Sequence, residues 1–173
     1  MLDLGAAPGS WSMYAAERVG KGGRVVGVDL EDVREPLGEN VVFVKGDVYE
    51  LAASGAAPLD NPVTAHAPYA VVLSDMAPST TGSKSSDQVR SFDLFMRALA
   101  LATKLGDRGS TFVGKIFMSG DFPLAKKAVT EHYETCRVLK PEGTRKNSTE
   151  IYLIGVGLRA RVATESGATS GVS

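Results

Sequence analysis

The sequence predicts an α/β domain built on a seven-stranded, mostly parallel sheet whose last strand runs antiparallel. Three observations predict it. Short apolar, β-branched runs alternate with stretches of helical spacing, which is the pattern of βαβ units. A glycine-bearing turn, residues 5–9, separates the first such run from the first helical stretch. The last two runs are joined by a long polar segment, residues 140–149, rather than by a crossover helix. A connection without a crossover helix is what an antiparallel pair allows.

Taken in order, the strands are expected at residues 1–4, 24–28, 41–44, 69–74, 110–115, 133–139 and 150–156, and helices at 11–19, 87–105 and 122–131. The middle helix has the strongest signal, because Val89, Phe92, Phe95, Met96, Leu99 and Ala100 recur at helical spacing and predict one buried stripe. Residues 55–68, rich in Ala and Pro, read as a surface loop. The catalytic or binding domain is expected to span residues 1–160, with 161–173 a small-residue tail that reads as disordered.

A chain of 173 residues matches one domain, and 43% apolar residues suffice for a core. No apolar run approaches the ~20 residues that span a bilayer, and no basic-then-apolar leader opens the sequence, so the expectation is a cytoplasmic protein without a membrane partner. A lone cysteine, Cys136, has no second thiol to pair with and reads as filler. The net charge of −1 argues against a strong non-specific grip on nucleic acid. That average conceals a gradient: residues 1–100 carry 8 basic and 13 acidic side chains, and residues 101–161 carry 11 basic and 6 acidic ones. The acidic part suits a small cofactor and the basic part a polyanion.

The chemistry concentrates where strands end. In open α/β sheets ligands bind beyond the carboxyl ends of the parallel strands. The loop Asp3-Leu-Gly-Ala-Ala-Pro-Gly-Ser-Trp11 lies there, and its Gly5 and Gly9 let the backbone turn tightly beside a ligand. It is not the G-x-G-x-x-G of a pyrophosphate site, since Ala7 and Pro8 intervene, so a ligand without pyrophosphate is favoured over a dinucleotide. Asp29, 20 residues beyond Gly9, stands where an acid accepts ribose hydroxyls. Asp47 follows the third strand and can accept from an adenine amino group.

Asp75, Lys115 and Glu150 each sit at a strand boundary. An antiparallel last strand would bring Glu150, its first residue, to the rim where the fourth and fifth strands end. Two carboxylates and one amine then converge beside the cofactor loop. An amine, with a reference pKa of about 10.4, is a base only when neutral. The alternative is a charged lysine that stabilises a developing alkoxide. Lys84, Arg90, Arg145 and Lys146 are the candidate contacts to a polyanion.

Asp3-Leu-Gly-Ala-Ala-Pro-Gly-Ser-Trp-Ser12, Ser74-Asp-Met-Ala-Pro78 and the later Lys115 and Glu150 together resemble the FtsJ/RrmJ (RlmE) family of ribosomal RNA large-subunit 2′-O-methyltransferases, over residues 1–157. The resemblance implies a Rossmann-like methyltransferase fold and S-adenosylmethionine as methyl donor. The implied target is a uridine ribose in large-subunit ribosomal RNA, within the large subunit or its precursor. By position, Gly5, Gly9, Trp11, Asp29, Asp47 and Asp75 would contact the cofactor, and Lys115, Asp75 and Glu150 would be catalytic, with Lys115 the base. No metal is implied, and a monomer is expected. The family's tetrad is Lys-Asp-Lys-Glu; its first lysine precedes the glycine loop, and this sequence, which opens in the first strand, contains the other three.

Other readings remain open from the sequence. Within the family the RNA could be a transfer RNA or an mRNA cap. A non-catalytic RNA-binding or ribosome assembly factor could retain the cofactor fold. A nicotinamide-dependent oxidoreductase would share the sheet and Asp29, yet calls for a Tyr-x-x-x-Lys dyad and a glycine-richer loop, and neither is present.

Overall fold

A computed structural model describes residues 1–48, 50, 62–79, 81–141 and 149–160. Its seven strands are β1 (Leu2–Leu4), β2 (Val25–Asp29), β3 (Val41–Lys45), β4 (Tyr69–Ser74), β5 (Gly106–Phe117), β6 (Tyr133–Leu139) and β7 (Glu150–Leu158). The described helices are α1 (Ser10–Val19), α2 (Pro62–Ala65), α3 (Lys84–Leu105) and α4 (Phe122–His132). The strands form one sheet in the order β3-β2-β1-β4-β5-β7-β6. All pairs from β3 to β5 are parallel, whereas β7 is antiparallel to both neighbours. The mixed sheet and its reversed last strand match the sequence expectation.

The order places the glycine turn at the centre. β1 lies between β2 and β4, with Leu4 beside both Val28 and Ser74, so the ends of three strands come level. The chain reverses direction across the sheet on either side of this point, which is where a crevice opens in such folds.

Burial explains why the strands hold. Leu2, Leu4, Val26, Val28, Val72, Phe112 and Leu153 are all essentially inaccessible. On one face they meet α3 and α4, where Phe95 packs edge-on to Phe112 at 5.6 Å and Phe112 lies against Tyr133 at 6.3 Å. Aromatic pairs at these separations are in their favoured geometry. Burial of this kind contributes roughly 1.5–3 kcal/mol per large side chain. On the other face α1 lays Ala15 and Ala16 against Val25.

Some elements depart from expectation. The inward side of α3 holds Ser91, Phe95, Ala98, Leu99, Ala102 and Leu105, while Val89 is 60% exposed and Ala100 also faces out. Phe92, Phe95, Met96 and Leu99 of the predicted stripe thus meet the core, and its edge moves from Val89 and Ala100 to the small Ala98 and Ala102, which let the helix approach the sheet. α3 also begins at Lys84, in a polar turn that carries no apolar period. α2 falls within the predicted loop of 55–68, with Val63 buried and Tyr69 donating a 2.6 Å bond to the Val63 carbonyl. β5 starts at Gly106, four residues early, and a shift in register between Tyr69 and Val71 absorbs the extra length. The first half of the predicted 55–68 loop, residues 55–61, together with Arg145, Lys146 and the tail 161–173, lies outside the described residues. Among the described residues, no helix is long and apolar enough to cross a membrane.

Candidate active site

The turn after β1 is shaped by two glycines. Gly5 has φ +83°, and a Cβ there would stand 2.8 Å from Met76 Cγ and 2.9 Å from the Met76 backbone nitrogen. Gly9 has φ +123°, and a Cβ there would meet Val33 Cγ1 at 2.7 Å. Neither position tolerates a side chain, for conformational and steric reasons alike. The loop is tied to β2 by backbone bonds from Gly5 and Ala6 to the Val28 carbonyl, at 2.9 and 3.1 Å.

Asp29 completes the tie. Its Oδ2 accepts from the Ala7 amide and its Oδ1 from the Glu31 amide, both at 2.9 Å. Each carboxylate oxygen has a second lone pair. Asp29 therefore both fixes the loop and keeps acceptor capacity toward the adjoining cleft.

That cleft has a volume of about 340 Å³ and is bounded by Gly5, Asp29, Asp47 and Asp75 together with apolar Leu30, Val48 and Met76. Its size falls in the ~300–1,000 Å³ range of small-molecule sites, and its apolar walls with a few convergent acids follow the usual composition. Gly9 and Trp11 do not line it. The Trp11 indole instead stacks on Tyr152, with centroids 5.8 Å apart and planes at 26°.

Asp3, at the root of the loop, is fully buried and accepts a 2.6 Å bond from the Ser12 hydroxyl, while its Oδ1 has no partner among the described residues. Burial pushes this carboxyl up to about 6; the Ser12 bond works in the opposite direction, and the nearby Asp75 and Asp29 charges push it up further.

Beside the cleft, the predicted trio does share one rim. Asp75 follows β4 and its amide donates to the Leu4 carbonyl at 3.1 Å. The Lys115 ammonium lies 3.1 Å from Asp75 Oδ1, with Lys115 only 9% exposed. Glu150, the first residue of β7, is paired with Phe117, the last residue of β5. Opposed residues of an antiparallel pair project to one face, and so do residues two apart on one strand. Glu150 therefore shares the face of Lys115.

Tyr152 is the residue that sequence reasoning passed over. It is the register partner of Lys115, and its hydroxyl donates a 2.7 Å hydrogen bond to Asp75 Oδ1. Burial raises its phenol above the usual range, as do the hydrogen bond to Asp75 and the Asp75 and Glu150 charges. The signal was the period of two: once Glu150 is placed at the rim, Tyr152 must lie on the same face. Of the candidate polyanion contacts, Arg90 lies on α3 and pairs with Asp87 at 3.5 Å, and Lys84 opens the same helix.

Comparisons with known proteins bear on the family and the fold. The FtsJ-like methyltransferase family model matches residues 1–158. Ribosomal RNA large subunit methyltransferase E of Sorangium cellulosum is 51% identical over 160 residues, covering 92% of this chain and 72% of that one. The protein of the same name from Syntrophobacter fumaroxidans is 45% identical over 159 residues, covering 92% and 78%. Among solved structures, a Plasmodium falciparum protein described as a ribosomal RNA methyltransferase superposes with a TM-score of 0.74 at 22% identity, covering 92% of this chain and 86% of that one. Human methyltransferase-like protein 13, in complex with SAH, superposes with a TM-score of 0.57 at 12% identity, covering 96% and 74%. These two share the fold. The family match over nearly the whole described length, joined to the sequence identity of the bacterial relatives, shows that the chain belongs to the FtsJ-like methyltransferase family.

Proposed function

We propose that this protein transfers a methyl group from S-adenosylmethionine to the ribose 2′-hydroxyl of a uridine in large-subunit ribosomal RNA. The observation that carries the reading is the 3.1 Å approach of Lys115 to Asp75, an acid that also borders the cleft. One group thus belongs both to the ligand site and to a lysine at its rim. The names of the bacterial relatives support the RNA substrate.

The residues of the cleft fit the cofactor. Asp29 would hold the ribose hydroxyls, Asp47 the adenine amino group, and Leu30 and Val48 the flat faces of the base. Gly5 would admit the methionine end, with Gly9 and the Trp11 backbone, which do not line the cleft, shaping the turn around it. When bound, S-adenosylmethionine supplies a methyl carbon made electrophilic by its sulfonium.

The protein's part is alignment and proton removal. Holding the hydroxyl in line with the methyl supplies much of the rate, because a correctly oriented pair needs no diffusive search. Once substrate has displaced water and left the Lys115 amine neutral, Nζ takes the hydroxyl proton as the oxygen bonds to the methyl carbon and the carbon–sulfur bond breaks, and Asp75 then holds the resulting ammonium. Tyr152 donates to the same Asp75 oxygen and fixes its position, while Glu150 adds negative charge on that face. The reading places the protein in the cytosol with its RNA, acting as a monomer.

The test is mass mapping of ribosomal RNA from cells lacking the gene, followed by tritiated-methyl transfer from cofactor to that RNA by the purified protein. Loss of one ribose methyl and its restoration in vitro are expected. RNA that binds without acquiring a methyl would assign the chain instead to a non-catalytic assembly role.

A further inference from the structure

Trp11 is the chain's only tryptophan, and it stands outside the cofactor cleft. One side of its indole meets Tyr152, and the residue is still 38% exposed. Tyr14, three residues on, is 65% exposed. Residues three and four apart on a helix are neighbours on its surface, so Trp11, Tyr14 and Arg18 form one outward row on α1. The inward side of the same helix is held by Ser12, Ala15 and Ala16.

We infer that Trp11 and Tyr14 form a stacking shelf for an unpaired RNA base next to the ribose presented to Lys115, with Arg18 facing the following phosphate. The inference rests on the RNA reading above and specifies how that substrate is gripped.

Three features favour RNA as the occupant. Aromatic faces that bury no core and stand in a row suit flat bases, each of which offers a π-face whatever its sequence. The row ends on an exposed arginine that has no ion pair among the described residues, a match for a phosphodiester. The shelf is also continuous with the reacting centre, since Trp11 touches Tyr152, Tyr152 donates to Asp75, and Asp75 pairs with Lys115. A base resting on the indole is thereby held at a set distance from the lysine amine. Base pairs within a duplex keep their faces covered, so the nucleotide must be unpaired to use the shelf.

The lone tryptophan makes this directly measurable. Adding a single-stranded RNA of about ten nucleotides to the wild-type protein should quench tryptophan emission, and a duplex of the same sequence should quench it far less. Trp11→Ala should raise KM for RNA by roughly 5- to 150-fold, the range for loss of a base–aromatic stack. Trp11→Phe should recover most of that loss. Tyr14→Ala, a change at an exposed site, should weaken RNA binding while leaving the calorimetric cofactor affinity within about twofold, an estimate that treats the shelf as a separate subsite. Unchanged emission while fluorescence anisotropy reports RNA binding would overturn the shelf, as would an unaltered KM in Trp11→Ala and Tyr14→Ala. So would a dimer in sedimentation that Trp11→Ala abolishes with RNA affinity intact, because the row would then contact a second copy. If wild type methylates RNA and both variants match it, only the shelf is lost; if wild type methylates no RNA, the functional reading goes with it.

Discussion

Lys115 and Tyr152 face one another across the β5–β7 pair and converge on a single oxygen of Asp75, at 3.1 and 2.7 Å. The carboxylate is held from two strands at once, so its position follows from sheet register rather than from a mobile loop. A group held this way needs little reorganisation when substrate arrives.

Removing the amine tests the first consequence. Lys115→Ala should leave cofactor affinity near wild type and cut methyl transfer by at least ~10²-fold, the scale of general-base catalysis. Calorimetry and a tritiated-methyl assay separate the two. Unchanged turnover removes Lys115 from the reaction.

Tyr152→Phe keeps the ring that stacks on Trp11 and deletes only the donor to Asp75. Losing a hydrogen bond to a charged group is worth roughly 1.5–3 kcal/mol. With part of that loss offset by water at the half-buried rim, kcat should fall about tenfold with KM for RNA little altered. A changed KM with kcat intact would show that the hydroxyl contacts substrate instead.

For the cofactor end, Asp47→Ala should weaken S-adenosylmethionine binding by about tenfold, as expected for one hydrogen bond to a carboxylate. An unaltered dissociation constant by calorimetry would exclude Asp47 from the site.

Asp3 predicts a pH dependence of stability. Its carboxyl is raised from 3.8 to about 6, mainly by burial. Between these values the folded protein binds the proton that the unfolded chain releases, so this group's contribution is most favourable below about pH 4 and is lost as pH rises toward 6. The loss amounts to about 3 kcal/mol. Asp3→Asn, which cannot ionise, should flatten this slope. The difference between wild-type and variant urea midpoints, followed from pH 4 to pH 7, should shift in the direction of wild-type destabilisation. A constant difference would mean that Asp3 ionises in the fold as easily as in water.

Gly5→Ala tests the loop. A residue with φ +83° costs ~1–2 kcal/mol when it carries a Cβ. Here the added methyl also meets Met76 backbone, so both melting temperature and cofactor affinity should drop. A variant that binds normally would place the ligand away from this turn.

Much of this was legible in the residues because the relevant signals are local. Alternation and helical period located all seven strands and the three long helices, and the polar joint before Glu150 indicated the reversed strand. Phe92, Phe95, Met96 and Leu99 of the α3 stripe do meet the core, and Val89 was added wrongly because hydropathy weighs it above Ala98, whereas close packing selects the smaller side chain. α2, at four residues, spans barely one turn, too little for a helical period to show. At the rim, Asp75, Lys115 and Glu150 stood out by charge, while Tyr152 carries no charge and gains its role only from the register opposite Lys115. Trp11 was assigned to the cofactor by its position in the family resemblance, and the stacking of its indole on Tyr152 had no signal in the sequence.

The reversed β7 also has a bearing on synthesis. It slots between β5 and β6, so β6 has no partner and β5 lacks one of its two until β7 has been made. A chain still emerging from the ribosome holds Gly5, Asp29, Asp75 and Lys115 but lacks Glu150 and Tyr152, and β6 has nothing to zip onto. The sheet is thus completed only by Glu150–Leu158, the same segment that carries Glu150 and Tyr152 to the rim.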